Sequence, residues 1–86
     1  MRAQALVARN LRRLRVRREV SQENLAVDAS IDRTYVSRLE RGLENPTIAV
    51  LERLANALDA NITDFFAVPA RGEPPPKPLR AGRRKR

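Results

Sequence analysis

Between positions 33 and 41 the chain carries a cluster of hydrogen-bond donor side chains, Arg33, Thr34, Tyr35, Ser37, Arg38 and Arg41, with the amide of Gln22 upstream. On a helix, Arg33, Ser37 and Arg41 share one stripe, and Thr34 and Arg38 share the next. The chemistry open to such a face is polar recognition, not bond making. An arginine fork offers paired N–H donors that match two acceptors on one edge of guanine. No nucleophile stands beside a base. The 86 residues contain neither cysteine nor histidine, which removes the commonest general base and the commonest zinc ligands. The carboxylates are spread singly over expected helix surfaces. No catalytic residue, metal site or cofactor is expected, and the chain reads as a binding protein, not an enzyme.

Those side chains need a scaffold, and the apolar spacing supplies one. Val7, Leu11 and Leu14 predict a helix over 3–18, with no proline or glycine to interrupt it. Ser21 is a suitable N-cap for a second helix ending near Ala29, with Leu25 and Ala29 on one face. Asn24 stands where a capping box would want Glu or Gln. After a turn at Ser30 and Ile31, Asp32 is placed to cap a third helix that runs to Arg41 and buries Val36 and Leu39. Gly42 then stops it. Asn45-Pro46-Thr47 reads as the start of a fourth helix, carrying Ile48, Leu51, Leu54, Ala55 and Leu58 at i, i+3, i+4 spacing. Asn61 and Asp64 frame a short fifth helix with Phe65 and Phe66 turned inward. The expectation is an all-α, compact five-helix domain over residues 1–66, without strands. Arg41 either pairs with Glu44 or lies exposed.

Charge divides the chain in two. Residues 1–66 carry a net charge of +2 and residues 67–86 a net of +6, while the whole chain is at +8. Five of the six prolines fall at 69, 74, 75, 76 and 78, and the sequence ends Arg83-Arg84-Lys85-Arg86. Residues 67–86 have too few apolar side chains to offset the entropy of ordering them, so they read as a disordered, proline-rich basic tail. So basic a balance calls for an anionic partner. No apolar run is long enough to span a membrane or form a signal-peptide core, so a cytoplasmic, nucleoid-associated protein is expected.

Residues 11–66 resemble the Cro/repressor-type regulators, the XRE-type or lambda-repressor-like helix-turn-helix family. The motifs that carry the resemblance are Leu-Arg at 14–15, Ser-Gln-Glu at 21–23, Leu-Ala at 25–26, Val-Ser-Arg-Leu-Glu-Arg-Gly at 36–42 and Asn-Pro-Thr at 45–47. Asp-Arg-Thr-Tyr at 32–35 is also similar to the restriction–modification controller branch of that family. The resemblance implies a helix-turn-helix over 22–41 with its second helix, 32–41, in the major groove of DNA. It gives Gln22 a contact with the DNA backbone, places Arg33, Thr34, Ser37 and Arg38 in the groove, and sets Tyr35 near the backbone edge. It also makes Arg15 and Glu40 a partly buried structural salt bridge. Two positions depart from the family: Ser30 and Asp59 stand where many members have glycine, at points that want a left-handed backbone.

The expected function is sequence-specific binding of double-stranded DNA by a transcriptional regulator, a repressor in the first instance. One such unit reads few base pairs, so a homodimer on palindromic operator half-sites is implied. Ile62, Phe66 and Val68 are the candidate dimer contacts. The alternative is an antitoxin-type protein that neutralises a partner protein, through the tail, and regulates its own operon. Binding of RNA or an anionic membrane by charge alone is disfavoured, since three aromatic residues are too few for a stacking platform.

Overall fold

The computed structural model describes residues 2–76. Four α-helices form in chain order: α1 (Ala3–Arg17), α2 (Gln22–Ala29), α3 (Arg33–Glu40) and α4 (Ile48–Ala57). A short 3-10 helix, Ile62–Phe66, follows them. The described residues contain no strand. The fold is all-α, as the spacing predicts, but the fifth element is a tight 3-10 segment instead of an α-helix.

The helices start with few side-chain caps. Ser21 Oγ accepts from the Asn24 N–H at 3.0 Å, and Thr47 Oγ1 accepts from the Val50 N–H at 3.1 Å. Thr47, not Asn45, is thus the cap of α4, and Pro46 lies outside the helix. Asp32 occupies the N-cap of α3 without a side-chain hydrogen bond to it. At the 3-10 helix, Asp64 Oδ2 accepts from the Asn61 N–H at 3.0 Å.

All four α-helices stop in the same way. A left-handed residue follows each: Glu19 (φ 57°), Ser30 (φ 58°), Gly42 (φ 73°) and Asp59 (φ 53°). The next N–H then reaches back five residues, from Val20 to Arg15 O, Ile31 to Ala26 O, Leu43 to Arg38 O and Ala60 to Ala55 O. This is the Schellman closure, which satisfies carbonyls the helix end would otherwise strand. Three of these four stops lack the glycine that adopts such a φ freely. Val20, Ile31 and Ala60 then pack against the core, which repays part of that strain.

The core joins all five elements. Leu11, Leu25, Val36, Leu39, Leu54 and Phe65 are completely buried. Each such side chain contributes about 1.5–3 kcal/mol by leaving water. α1 packs on α3 and on the 3-10 helix, while α2 packs on α3 and α4. Two apolar side chains expected inside are not. Ile48 is 67% exposed, because the core-facing side chains of α4 begin at Val50. Phe66 points outward, because neighbours on a 3-10 helix sit about 120° apart and cannot share one face with Phe65.

Among the described residues, Asn10 is the one neutral polar side chain sealed in this core. Its Nδ2 donates to Phe65 O at 2.9 Å and Ala67 O at 2.8 Å, and its Oδ1 accepts from Arg13 Nε. It thereby ties the end of the 3-10 helix to α1. Residues 67–76 continue along α1 without regular structure, held by an Arg9–Glu73 ion pair at 3.3 Å and by Arg9 Nη2 donating to Pro74 O. The basic end of the expected tail, residues 77–86, lies outside the described residues.

Candidate nucleic-acid interface

The turn between α2 and α3 sets how far α3 projects, and three contacts hold it. The Ser30 stop reverses the chain. Ile31 fills the space beneath it as a half-buried side chain against the core. Arg53 on α4 then reaches across, its Nε donating to Ala29 O at 3.2 Å and its Nη2 to Ser30 O. A cation on the last carbonyls of α2 also suits the negative end of that helix. The sequence alone assigned Arg53 no role.

The other end of α3 is fixed to α1. Arg15 Nε donates to Glu40 Oε2 at 2.5 Å and Arg15 Nη2 to Glu40 Oε1 at 2.9 Å. The Glu40 side chain has no solvent exposure, and Arg15 Nη1 is satisfied by Val20 O. Gln22, the first residue of α2, donates from Nε2 to Glu40 Oε1 at 3.1 Å, and Arg12 Nε approaches the same oxygen at 3.7 Å. One carboxylate therefore gathers side chains from α1 and α2 onto the end of α3. Gln22, given a backbone contact by the family resemblance, is drawn into this cluster, and Arg12 lies beside it.

The outward face of α3 carries the remaining candidates. Arg33, Thr34 and Arg38 are exposed, and Ser37 is half-buried. Arg33 has no ion-pair or hydrogen-bond partner among the described residues, so its whole guanidinium is available. Tyr35 lies half-buried against the core. Burial, and then the negative charge of Glu44, push its hydroxyl above the ordinary tyrosine range, so it stays a neutral donor. Glu44 does not take Arg41 as its partner: it accepts from Arg38 Nε at 2.7 Å, and Arg41 stays exposed. Sequence spacing missed this pair because the Gly42 turn carries Glu44 back toward α3.

At and after the 3-10 helix, Phe66 and Val68 are exposed at 43% and 80%, and Ile62 is half-buried. Among the described residues, no helix is long and apolar enough to cross a membrane, and no group of acidic side chains is placed to hold a metal ion.

The family model described as "Helix-turn-helix domain" matches residues 6–64. A hypothetical transcription factor of Neisseria meningitidis is 44% identical over 54 residues, covering 63% of this chain and 51% of that protein. The chain thus spans about half the length of that curated relative. Among solved structures, the restriction–modification controller protein C.AhdI of Aeromonas hydrophila is 36% identical with a TM-score of 0.71, over 73% of this chain and 96% of that one. The controller protein C.Esp1396I, solved as a tetramer with its natural 35-base-pair operator, is 32% identical with a TM-score of 0.71. That match covers 77% of this chain and 87% of that one.

Proposed function

The chain belongs to the helix-turn-helix family of DNA-binding transcription regulators, and from that premise we propose that it represses transcription as a homodimer on a palindromic operator. In this reading α3 lies in the major groove. Arg33, Thr34, Ser37 and Arg38 meet base edges, Gln22 and Tyr35 fix the register on the backbone, and no chemistry is performed. The domain spans residues 1–66, and residues 67–86 add affinity for phosphates through their charge.

The observation that carries the reading is the contrast between the two sides of α3. Its inner side is locked by Val36, Leu39 and the Arg15–Glu40 pair. Its outer side presents an unpartnered Arg33 beside exposed Thr34 and Arg38. A rigid helix with free donors on one face costs little to order on binding, which favours readout by hydrogen bonds. Support for assembly on DNA comes from the tetramer–operator complex of the similar controller protein. Two copies meeting through Ile62, Phe66 and Val68 would cover an apolar surface that otherwise faces water. A dimer seated on a promoter excludes other proteins from it, which makes repression the direct consequence.

Selection of bound sites from random duplex DNA tests this. The expected result is a two-fold symmetric motif with half-sites about 10 base pairs apart, centre to centre. Recovery of unselected sequence after repeated rounds would overturn it.

A further inference from the structure

Arg38 has a partner in the loop that leaves α3. Its Nε donates to Glu44 Oε2 at 2.7 Å, between side chains that are 44% and 28% exposed. Backbone geometry puts the carboxylate there. Gly42, with φ of 73°, reverses the chain, and the Leu43 N–H closes on Arg38 O at 3.0 Å. Gln4 on the first turn of α1 then donates from Nε2 to Glu44 O at 3.0 Å. The loop is thus tied at both sides, and the position of Glu44 does not depend on its own side chain.

The way Arg38 is held matters. A guanidinium has five N–H donors, one on Nε and four on the two Nη atoms. Glu44 occupies Nε. The Nη atoms of Arg38 have no protein partner among the described residues. That free edge has the paired donors that match O6 and N7 of guanine. An exposed arginine without such a partner would sample many rotamers and could equally fold back onto a phosphate. A carboxylate on a DNA-facing surface also repels the phosphate backbone, so it weakens binding to DNA of any sequence. Both effects favour discrimination over raw affinity.

We infer that Glu44 is a specificity-determining residue: it holds Arg38 so that the Nη edge meets a guanine, and it suppresses sequence-blind binding. The inference rests on the proposed reading of DNA by α3. Glu44 itself touches no base and acts by positioning Arg38.

The test uses the full chain and three variants, Arg38→Ala, Glu44→Ala and Glu44→Gln, in site selection and in affinity measurements on the selected and random duplexes. Arg38→Ala is expected to abolish a guanine preference at one position per half-site. Glu44→Ala is expected to weaken the preference at that same position on the order of tenfold, while binding random duplex more tightly. Glu44→Gln keeps an acceptor for Nε and should retain most of the guanine preference. Thermal melting of each variant should match the wild type, since Glu44 is tied through its backbone. If both Glu44 variants raise affinity for all DNA without altering base preference, the inference fails and the reading by α3 stands; if Arg38→Ala leaves the motif unchanged, the inference fails and the reading by α3 rests on Arg33, Thr34 and Ser37. If the wild-type chain selects no motif, the reading itself fails and the inference with it.

Discussion

Arg15 on α1 and Glu40 at the end of α3 form a two-pronged ion pair, at 2.5 and 2.9 Å, with the carboxylate fully withdrawn from water. Removing Glu40 leaves the Arg15 guanidinium buried without its counter-ion. Glu40→Ala is therefore expected to lose about 3–5 kcal/mol of stability, as read by urea unfolding. An unfolding midpoint equal to the wild type's would show that the pair does not hold α3 to α1.

A second expectation concerns the stop of α2. Ser30 sits at φ of 58° with its side chain exposed, and L-residues pay roughly 1–2 kcal/mol for that backbone. Glycine removes most of this strain but has more freedom to lose on folding. Ser30→Gly should raise stability by up to about 1 kcal/mol, seen as a higher melting temperature. A fall in melting temperature would mean that the Ser30 side chain contributes something its exposure conceals.

A third concerns assembly. If Ile62, Phe66 and Val68 form the dimer contact, charges placed on that face should prevent pairing without disturbing the core. The double variant Phe66→Asp, Val68→Asp alters two exposed side chains and is expected to sediment as a folded monomer where the wild type is a dimer. Its affinity for a full operator should drop toward that for a single half-site. A dimer that survives both changes would place the interface elsewhere.

Much of the scaffold was legible because it depends on local rules. Leu25, Val36 and Leu39 follow helical spacing, Ser21 is a residue that caps, and Gly42 is a residue that stops helices; each behaves accordingly. The departures arise where the chain folds back on itself. Asn10 is buried by carbonyls that lie 55 and 57 residues away in sequence. Arg53 reaches carbonyls of α2 that lie 23 and 24 residues earlier. Neither relation leaves a periodic trace in a sequence window. Sequence proximity left Arg41 either paired with Glu44 or exposed; it is exposed, and the Gly42 turn delivers Glu44 to Arg38. The exposure of Phe66 follows from a 3-10 geometry that two adjacent phenylalanines do not announce.

The candidate site shows the same division. The outward positions of α3 follow from periodicity alone once Val36 and Leu39 are known to face inward. What periodicity does not give is the state of each side chain: Arg33 free, Arg38 held by Glu44, and Gln22 turned onto Glu40. Arg33 is exposed with its whole guanidinium available, and it carries the central claim.

That claim, that the outer face of α3 reads bases, is tested most directly by a double comparison at Arg33. Affinities of the wild type and of Arg33→Ala are measured on the selected operator and on the same duplex with the base pair at the Arg33 position changed. The account predicts that Arg33→Ala loses about 1–3 kcal/mol on the selected operator, and that the two proteins discriminate differently between the duplexes, the variant hardly at all. An equal loss on both duplexes would contradict it, because Arg33 would then be a phosphate contact and the sequence would be read by other residues.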